Sequence, residues 1–160
     1  VNFLGYDNLL ALEIAHKINF DYIWCDNANT DYFDDNKAWE VKKYQIENSD
    51  CPKLFGGIHF KYQQALPFTI EESLRRCHDL VDIPTLSGSG TGKAADLEFI
   101  KKAACSTDKS LAVASGITVE NVRSFTPYID YFLVASSITD EKEILIKEKV
   151  QAMNDIICGG

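Results

Sequence analysis

Six short apolar runs punctuate the chain, at residues 1–4, 22–25, 54–60, 80–86, 111–114 and 131–135. Each is bounded by Gly, Ser, Asp or Asn, the form a buried strand takes. The runs LAVA and YFLVA lack polar alternation, and a strand apolar on both faces belongs to a parallel sheet covered by helices. Between the runs the spacing becomes helical. Residues 8–18 place Leu9, Leu12, Ala15 and His16 on one side, 34–48 repeat Trp39, Lys43 and Ile46, and 96–104 repeat Leu97, Ile100 and Ala104. Thr69 and Glu72 form a capping-box pattern before a helix at 73–80. Thr118 is placed to cap 119–125, which Pro127 closes, and the longest helical stretch, 140–157, ends at Gly159.

The order is thus β-α repeated six times, which means a parallel sheet with right-handed crossovers. A doubly wound sheet and a (β/α)8 TIM barrel both fit this string. No linker or composition shift divides the chain, so residues 1–160 are expected to form one domain. Units of roughly 27 residues, taken eight times, approach the usual barrel length of about 250. On the barrel reading two units are missing. Val1 lies inside an apolar run, with no methionine and no leader before it, so the expectation is an N-terminally truncated barrel.

Composition narrows the function classes. A hydrophobic share of 46% supports a real core. A net charge of −8 argues against nucleic acid as a partner, since binders of a phosphate backbone need basic patches. No apolar run approaches the ~20 residues of a membrane span, so direct membrane insertion is not expected. The five cysteines are odd in number and form no CxxC pair, which argues against a zinc knuckle or redox dithiol. Reduced thiols in a cytoplasmic protein are expected, with Cys25 in the core. No motif calls for a cofactor or a metal.

In a barrel, function sits on the loops after the strands. Ser115-Gly116-Ile117-Thr118 follows the fifth run and Ala135-Ser136-Ser137-Ile138 the sixth. Small residues let backbone N–H groups approach an anion, and a helix N-terminus adds positive potential. Barrels often bind phosphate at this corner, so Ser115, Gly116, Ala135 and Ser136 are candidate ligand-binding residues. The loop Ser87-Gly88-Ser89-Gly90-Thr91-Gly92-Lys93 fails both nucleotide patterns. Ser87 and Ala94 stand where a P-loop needs Gly and Ser or Thr, and Lys93 where the dinucleotide fingerprint needs Gly. Gly88, Ser89, Gly90, Thr91, Gly92 and Lys93 are instead expected to form a mobile loop that closes over a ligand.

His59 and Lys61 stand two apart at the end of the third run, so period-two geometry would put both on one face. If that face is the interior, His59 can act as general acid or base and Lys61 can hold an anion. Asp26 follows the second run closely enough to enter the same space. It leads an oxygen-rich stretch with Asn27, Asn29, Asp31, Asp34 and Asp35, but the calcium-loop spacing with its closing Glu is absent. His16 and His78 fall on predicted helices, and the Met, Trp and Phe residues read as core.

Five segments together resemble the BtpA family: Val1-Asn2-Phe3-Leu4 with Asp7, Ile58-His59-Phe60-Lys61, Ser87-Gly88-Ser89-Gly90-Thr91-Gly92, Ala114-Ser115-Gly116-Ile117-Thr118-Val119-Glu120-Asn121, and Val134-Ala135-Ser136-Ser137. The family is named for a factor in photosystem I biogenesis, and other members are described as nucleosidases or membrane-complex biogenesis proteins. The resemblance implies a TIM barrel whose six units here correspond to strands 3–8. The two serine loops at adjacent strand ends of such a barrel give the expectation of a protein that binds a phosphorylated small molecule, a sugar phosphate or nucleotide-like compound, at the C-terminal face. The resemblance leaves open whether that protein is an enzyme of nucleosidase or phosphosugar type. The alternatives are a non-catalytic assembly factor for a membrane complex and an inactive fragment. Gly57, Tyr62 and Gly5 stand where the family usually has an acidic residue, a second histidine and an arginine, which weakens any proton-transfer network around His59, Lys61 and Asp26. Six strands leave two edges unpaired, so the chain is expected to associate as a homo-oligomer.

Overall fold

The computed structural model of the chain describes residues 6–30, 35–60, 67–90 and 92–159. The first predicted strand, at 1–4, lies outside them, as do Lys61 and Thr91. The elements run α1 (Asn8–Lys17), β1 (Tyr22–Cys25), α2 (Asn36–Glu47), β2 (Lys53–Gly57), α3 (Ile70–Cys77), β3 (Ile83–Ser87), α4 (Leu97–Ala104), β4 (Ala112–Ala114), β5 (Tyr131–Leu133) and α5 (Lys147–Cys158), with a 3-10 turn at Val122–Ser124.

Among the described residues all five strands are parallel, in the order β1-β2-β3-β4-β5. A doubly wound sheet reverses its strand order at a switch point, and this sheet does not. It curls instead. Tyr22 on β1 and Tyr131 on β5 belong to opposite edges, yet their ring centroids lie 6.5 Å apart. Both rings also pack on Phe55 of β2, at 5.4 and 5.2 Å. In a flat sheet, strands spaced by ~4.8 Å would hold those edges about 19 Å apart. The architecture is an incomplete (β/α) barrel.

Alternation assigns the two faces. Trp24, Phe55, Ile83, Ala112, Tyr131 and Leu133 form a cluster on the concave side. On the convex side Ile23, Cys25 and Leu54 pack with Ala11, Leu12 and Ala15 of α1 and Val41 of α2. Leu86 and Val113 pack with Leu74 of α3 and Ile100 of α4. Each fully buried aliphatic side chain contributes ~1.5–3 kcal/mol.

Side chains fix the element ends. Asp7 accepts from the Leu9 amide at 3.1 Å to start α1. The capping box of α3 is present, with Thr69 N–H donating to Glu72 at 2.8 Å and Glu72 N–H to the Thr69 hydroxyl at 3.3 Å. Asp96 caps α4 through the Phe99 amide at 3.0 Å. At the opposite end of the sheet, Asp82 accepts from Leu54 N–H at 2.8 Å and Asp130 from Leu111 N–H at 2.9 Å. Each aspartate precedes one strand and satisfies the entry of its neighbour.

Two predicted helices are shorter than expected, for the same reason. At 119–125 only the turn Val122–Ser124 forms. The Asn121 side chain accepts the Thr118 amide at 2.8 Å and donates to the Gly116 carbonyl at 2.8 Å, which pulls the segment back onto the strand end. The remaining stretch before Pro127 is too short to repay helix nucleation. In the second case α5 starts at Lys147, because Asp140 accepts from the amides of both Lys142 and Ile144 at 2.8 and 2.9 Å. A bridge between Thr139 and Leu145 closes that turn. A carboxylate offering such local bonds competes with the helix ladder.

Candidate functional site

Because the strands are parallel, every loop that follows one emerges at the same rim. Two of them converge. Residues 115–118 after β4 and 134–137 after β5 line one cavity of about 530 Å³, together with Trp24, Gly92 and Leu133. This brings together five of the predicted residues: Gly92, Ser115, Gly116, Ala135 and Ser136.

The local backbone is unusual where these loops leave the sheet. Ser115 and Gly116 are both left-handed, at φ 68° and 66°. Gly116 is obligatory for a further reason. A Cβ there would overlap the Lys93 carbonyl carbon and the Ala94 nitrogen. The Ser137 hydroxyl donates to the Ile117 carbonyl at 2.6 Å and ties one loop to the other. Among the described residues, the amides of Gly116, Ile117, Ser136 and Ser137 donate to no protein acceptor. A cluster of available N–H groups on small residues suits an anion.

The loop after β3 is divided by the structure. Gly88 is buried, and a Cβ there would overlap the Lys93 carbonyl oxygen. Its role is packing. Gly92, at φ 74°, lines the cavity. Ser89 and Lys93 are exposed, and the Lys93 amide closes a turn onto the Gly90 carbonyl at 3.1 Å. The backbone of residues 93 and 94 is seated on both Gly88 and Gly116. The loop therefore rests against the serine corner.

The expectation that places His59 on the strand is corrected. β2 ends at Gly57, and His59 follows at φ 48°, so period-two alternation no longer applies. Its Nε2 lies 2.9 Å from the Ser73 hydroxyl of α3, and its ring packs 6.1 Å from Phe99 of α4. It faces the helices and does not line the cavity. Burial lowers its pKa, which favours the neutral ring, and is opposed by a bond with the Thr69 backbone. Asp26 follows β1 directly, and its carbonyl lies where a Cβ on Gly57 would sit. Neither Asp26 nor His59 belongs to the lining of the cavity.

Cys25 is deeply buried; burial first, then the charges of Asp26 and Asp7, push its thiol up to about 12. It is inert core. A groove of about 620 Å³ runs between α3 and the segment 105–108 that follows α4, near His78 and Asp108. His78 bridges Asp79 at 2.9 Å and Asp108 at 3.2 Å, and those bonds raise its pKa. This is an exposed ion cluster on the helix layer.

Trp24 is the residue the sequence reading misses. Assigned there to the core, it lines the cavity from β1. Its place two residues from Tyr22 on the same face was the available signal. Asn121 and Ser137 lie in the motif segments, but their work of pinning the loops shows only in the coordinates.

Parallel strands in unbroken order, a strong curl and a cavity at the C-terminal rim define the class: a protein of the (β/α) barrel type. The sequence profile of the BtpA family matches residues 1–157, and the chain belongs to that family. It is 28% identical over 150 residues to the uncharacterized protein MJ1115 of Methanocaldococcus jannaschii, covering 86% of this chain and 55% of that protein. The chain thus spans about half the length of the curated relative it matches. Among solved structures it resembles phosphoribosyl anthranilate isomerase from Thermus thermophilus, with a TM-score of 0.68 at 14% identity over 99% of this chain and 70% of that one. It also resembles the YdjI aldolase from Escherichia coli, at 0.60 and 9% over 98% and 62%. A third is thiamine phosphate pyrophosphorylase from Pyrococcus furiosus, at 0.57 and 12% over 99% and 81%. At such identities the likeness concerns the fold. Among the described residues no helix is long and apolar enough to cross a membrane.

Proposed function

We propose that this protein binds a phosphorylated small molecule at the rim corner between 115–118 and 134–137. The carrying observation is the convergence of two small-residue loops, bonded to each other through Ser137, on one cavity of ligand size. Backbone donors in such an arrangement recognise an anion without a dedicated cation, and Lys93, next to Gly92, can add long-range attraction. Two of the barrels it resembles are named for phosphorylated compounds. Among the described lining residues there is no carboxylate, imidazole or amine. The arrangement therefore supports recognition directly, and chemistry would draw on groups such as Asp26 from neighbouring loops.

The test is amide-resolved NMR with ribose 5-phosphate. Shifts should concentrate on Gly116, Ile117, Ser136 and Ser137 at millimolar ligand. Shifts spread over the surface, or none at about 10 mM ligand, where even a Kd of about 1 mM (~4 kcal/mol) would saturate the site, would remove the proposal.

A further inference from the structure

We infer that the ligand of this cavity is a phosphate ester carrying a planar aromatic ring, and that Trp24 receives the ring. The inference rests on the phosphate reading above and supplies the other half of the molecule. A cavity of about 530 Å³ equals a sphere about 10 Å across, far more than a phosphate group needs. Its polar side chains all belong to the serine loops. Ser137 is committed to the Ile117 carbonyl, and Thr118 is bonded to Glu120. Apart from Ser115, Ser136 and the small residues Gly92, Gly116 and Ala135 at the phosphate corner, the remaining wall is Trp24, Ile117, Leu133 and Val134.

That wall is wrong for a polyhydroxylated sugar, whose hydroxyls would lose water without gaining partners. It is right for a flat apolar ring, which gains contact area and a favourable ring–ring geometry. Trp24 is held for the purpose. Its ring meets Phe60 edge-on at 5.9 Å, and in the sheet it is paired with Phe55. Its Nε1–H is sealed from solvent and has no acceptor among the described residues.

The experiment uses the full chain with Trp39→Phe, which removes the exposed indole on α2 and leaves Trp24 as the fluorophore. Inorganic phosphate, ribose 5-phosphate, phenyl phosphate and phenol are titrated separately, by Trp24 emission and calorimetry. Phenyl phosphate should bind about 10-fold more tightly than ribose 5-phosphate, the scale of one aromatic stack, and alter Trp24 emission. Trp24→Leu should bring that ratio to about 1 while phosphate still binds, and Trp24→Phe should keep most of it. If Trp24→Leu does not fold, the ratio in the parent chain decides. Equal binding of the two esters overturns the inference and leaves the phosphate reading intact. If no phosphate compound binds, or phenol binds as well as phenyl phosphate, both readings fall.

Discussion

Two glycines in one region offer a controlled measurement of how the loop after β3 is seated. Gly92 and Gly116 share a left-handed backbone, at φ 74° and 66°. An alanine pays the same conformational cost at either, ~1–2 kcal/mol. Their surroundings differ. A Cβ at Gly92 meets nothing within 4 Å, whereas one at Gly116 overlaps the backbone of Lys93 and Ala94. Backbone cannot swing aside as a side-chain tip can, so overpacking adds ~1–3 kcal/mol. Gly92→Ala should therefore cost ~1–2 kcal/mol and Gly116→Ala ~2–5 kcal/mol. With a urea slope of ~2 kcal/mol/M, the midpoint should fall by about 0.5–1 M in the first case and 1–2.5 M in the second. Equilibrium urea unfolding followed by fluorescence measures both. Equal midpoints for the two variants, at unchanged slope, would refute the idea that residues 93 and 94 pack on the serine corner.

Three further outcomes are expected. Asn121→Ala removes both bonds that fold residues 116–121 back on the sheet and should cost ~1–2 kcal/mol, with Asn121→Asp, which keeps the acceptor for Thr118, costing less; urea midpoints that do not move would contradict this. Burial pushes the pKa of His59 down, so its folded value lies below the unfolded value of ~6.5. The unfolded chain then takes up the proton first, and stability falls as pH drops below ~6.5. His78, raised by Asp79 and Asp108, has the opposite sign: its contribution is present below ~6.5 and lost as pH rises through its folded pKa, but it is surface-exposed and small. An NMR titration should place the His59 midpoint below that of His78, and His59→Gln should flatten the loss of stability between pH 7 and 5.5; the reverse order of midpoints would overturn the placement of His59 against α3. Among the thiols, Cys105 and Cys158 are exposed, Cys25 and Cys77 are buried, and Cys51 is raised to about 11 mainly by burial. A thiol reagent at pH 8 should therefore label two cysteines quickly and the other three only on unfolding, and fast labelling of Cys25 would count against the packing of β1.

Much of this barrel was written locally. The runs at 22–25, 111–114 and 131–135 became strands because a strand with helices on one face and the barrel interior on the other needs apolar residues on both, and this is visible residue by residue. Asp7, Thr69 and Asp96 start helices through bonds to amides two or three residues away, so their effect also needs no knowledge of the rest of the chain. The serine corner was legible for the same reason: two small-residue loops follow consecutive strands, and parallel pairing puts them side by side. Other features required distant partners. Whether the repeats open flat or curl depends on Tyr22 meeting Tyr131 across the sheet, a contact between residues more than a hundred positions apart. Trp24 looked like core because its composition and spacing are those of core, and only the curl turned it into a cavity wall. His59 was placed on a strand by a two-residue period that Gly57 and a left-handed turn interrupt. The helices expected at 119–125 and 140–157 were shortened by Asn121 and Asp140, whose side chains found better partners in the folded loop than the helix offered. Periodicity reports which face of an element is buried, and tertiary packing alone decides what it is buried against.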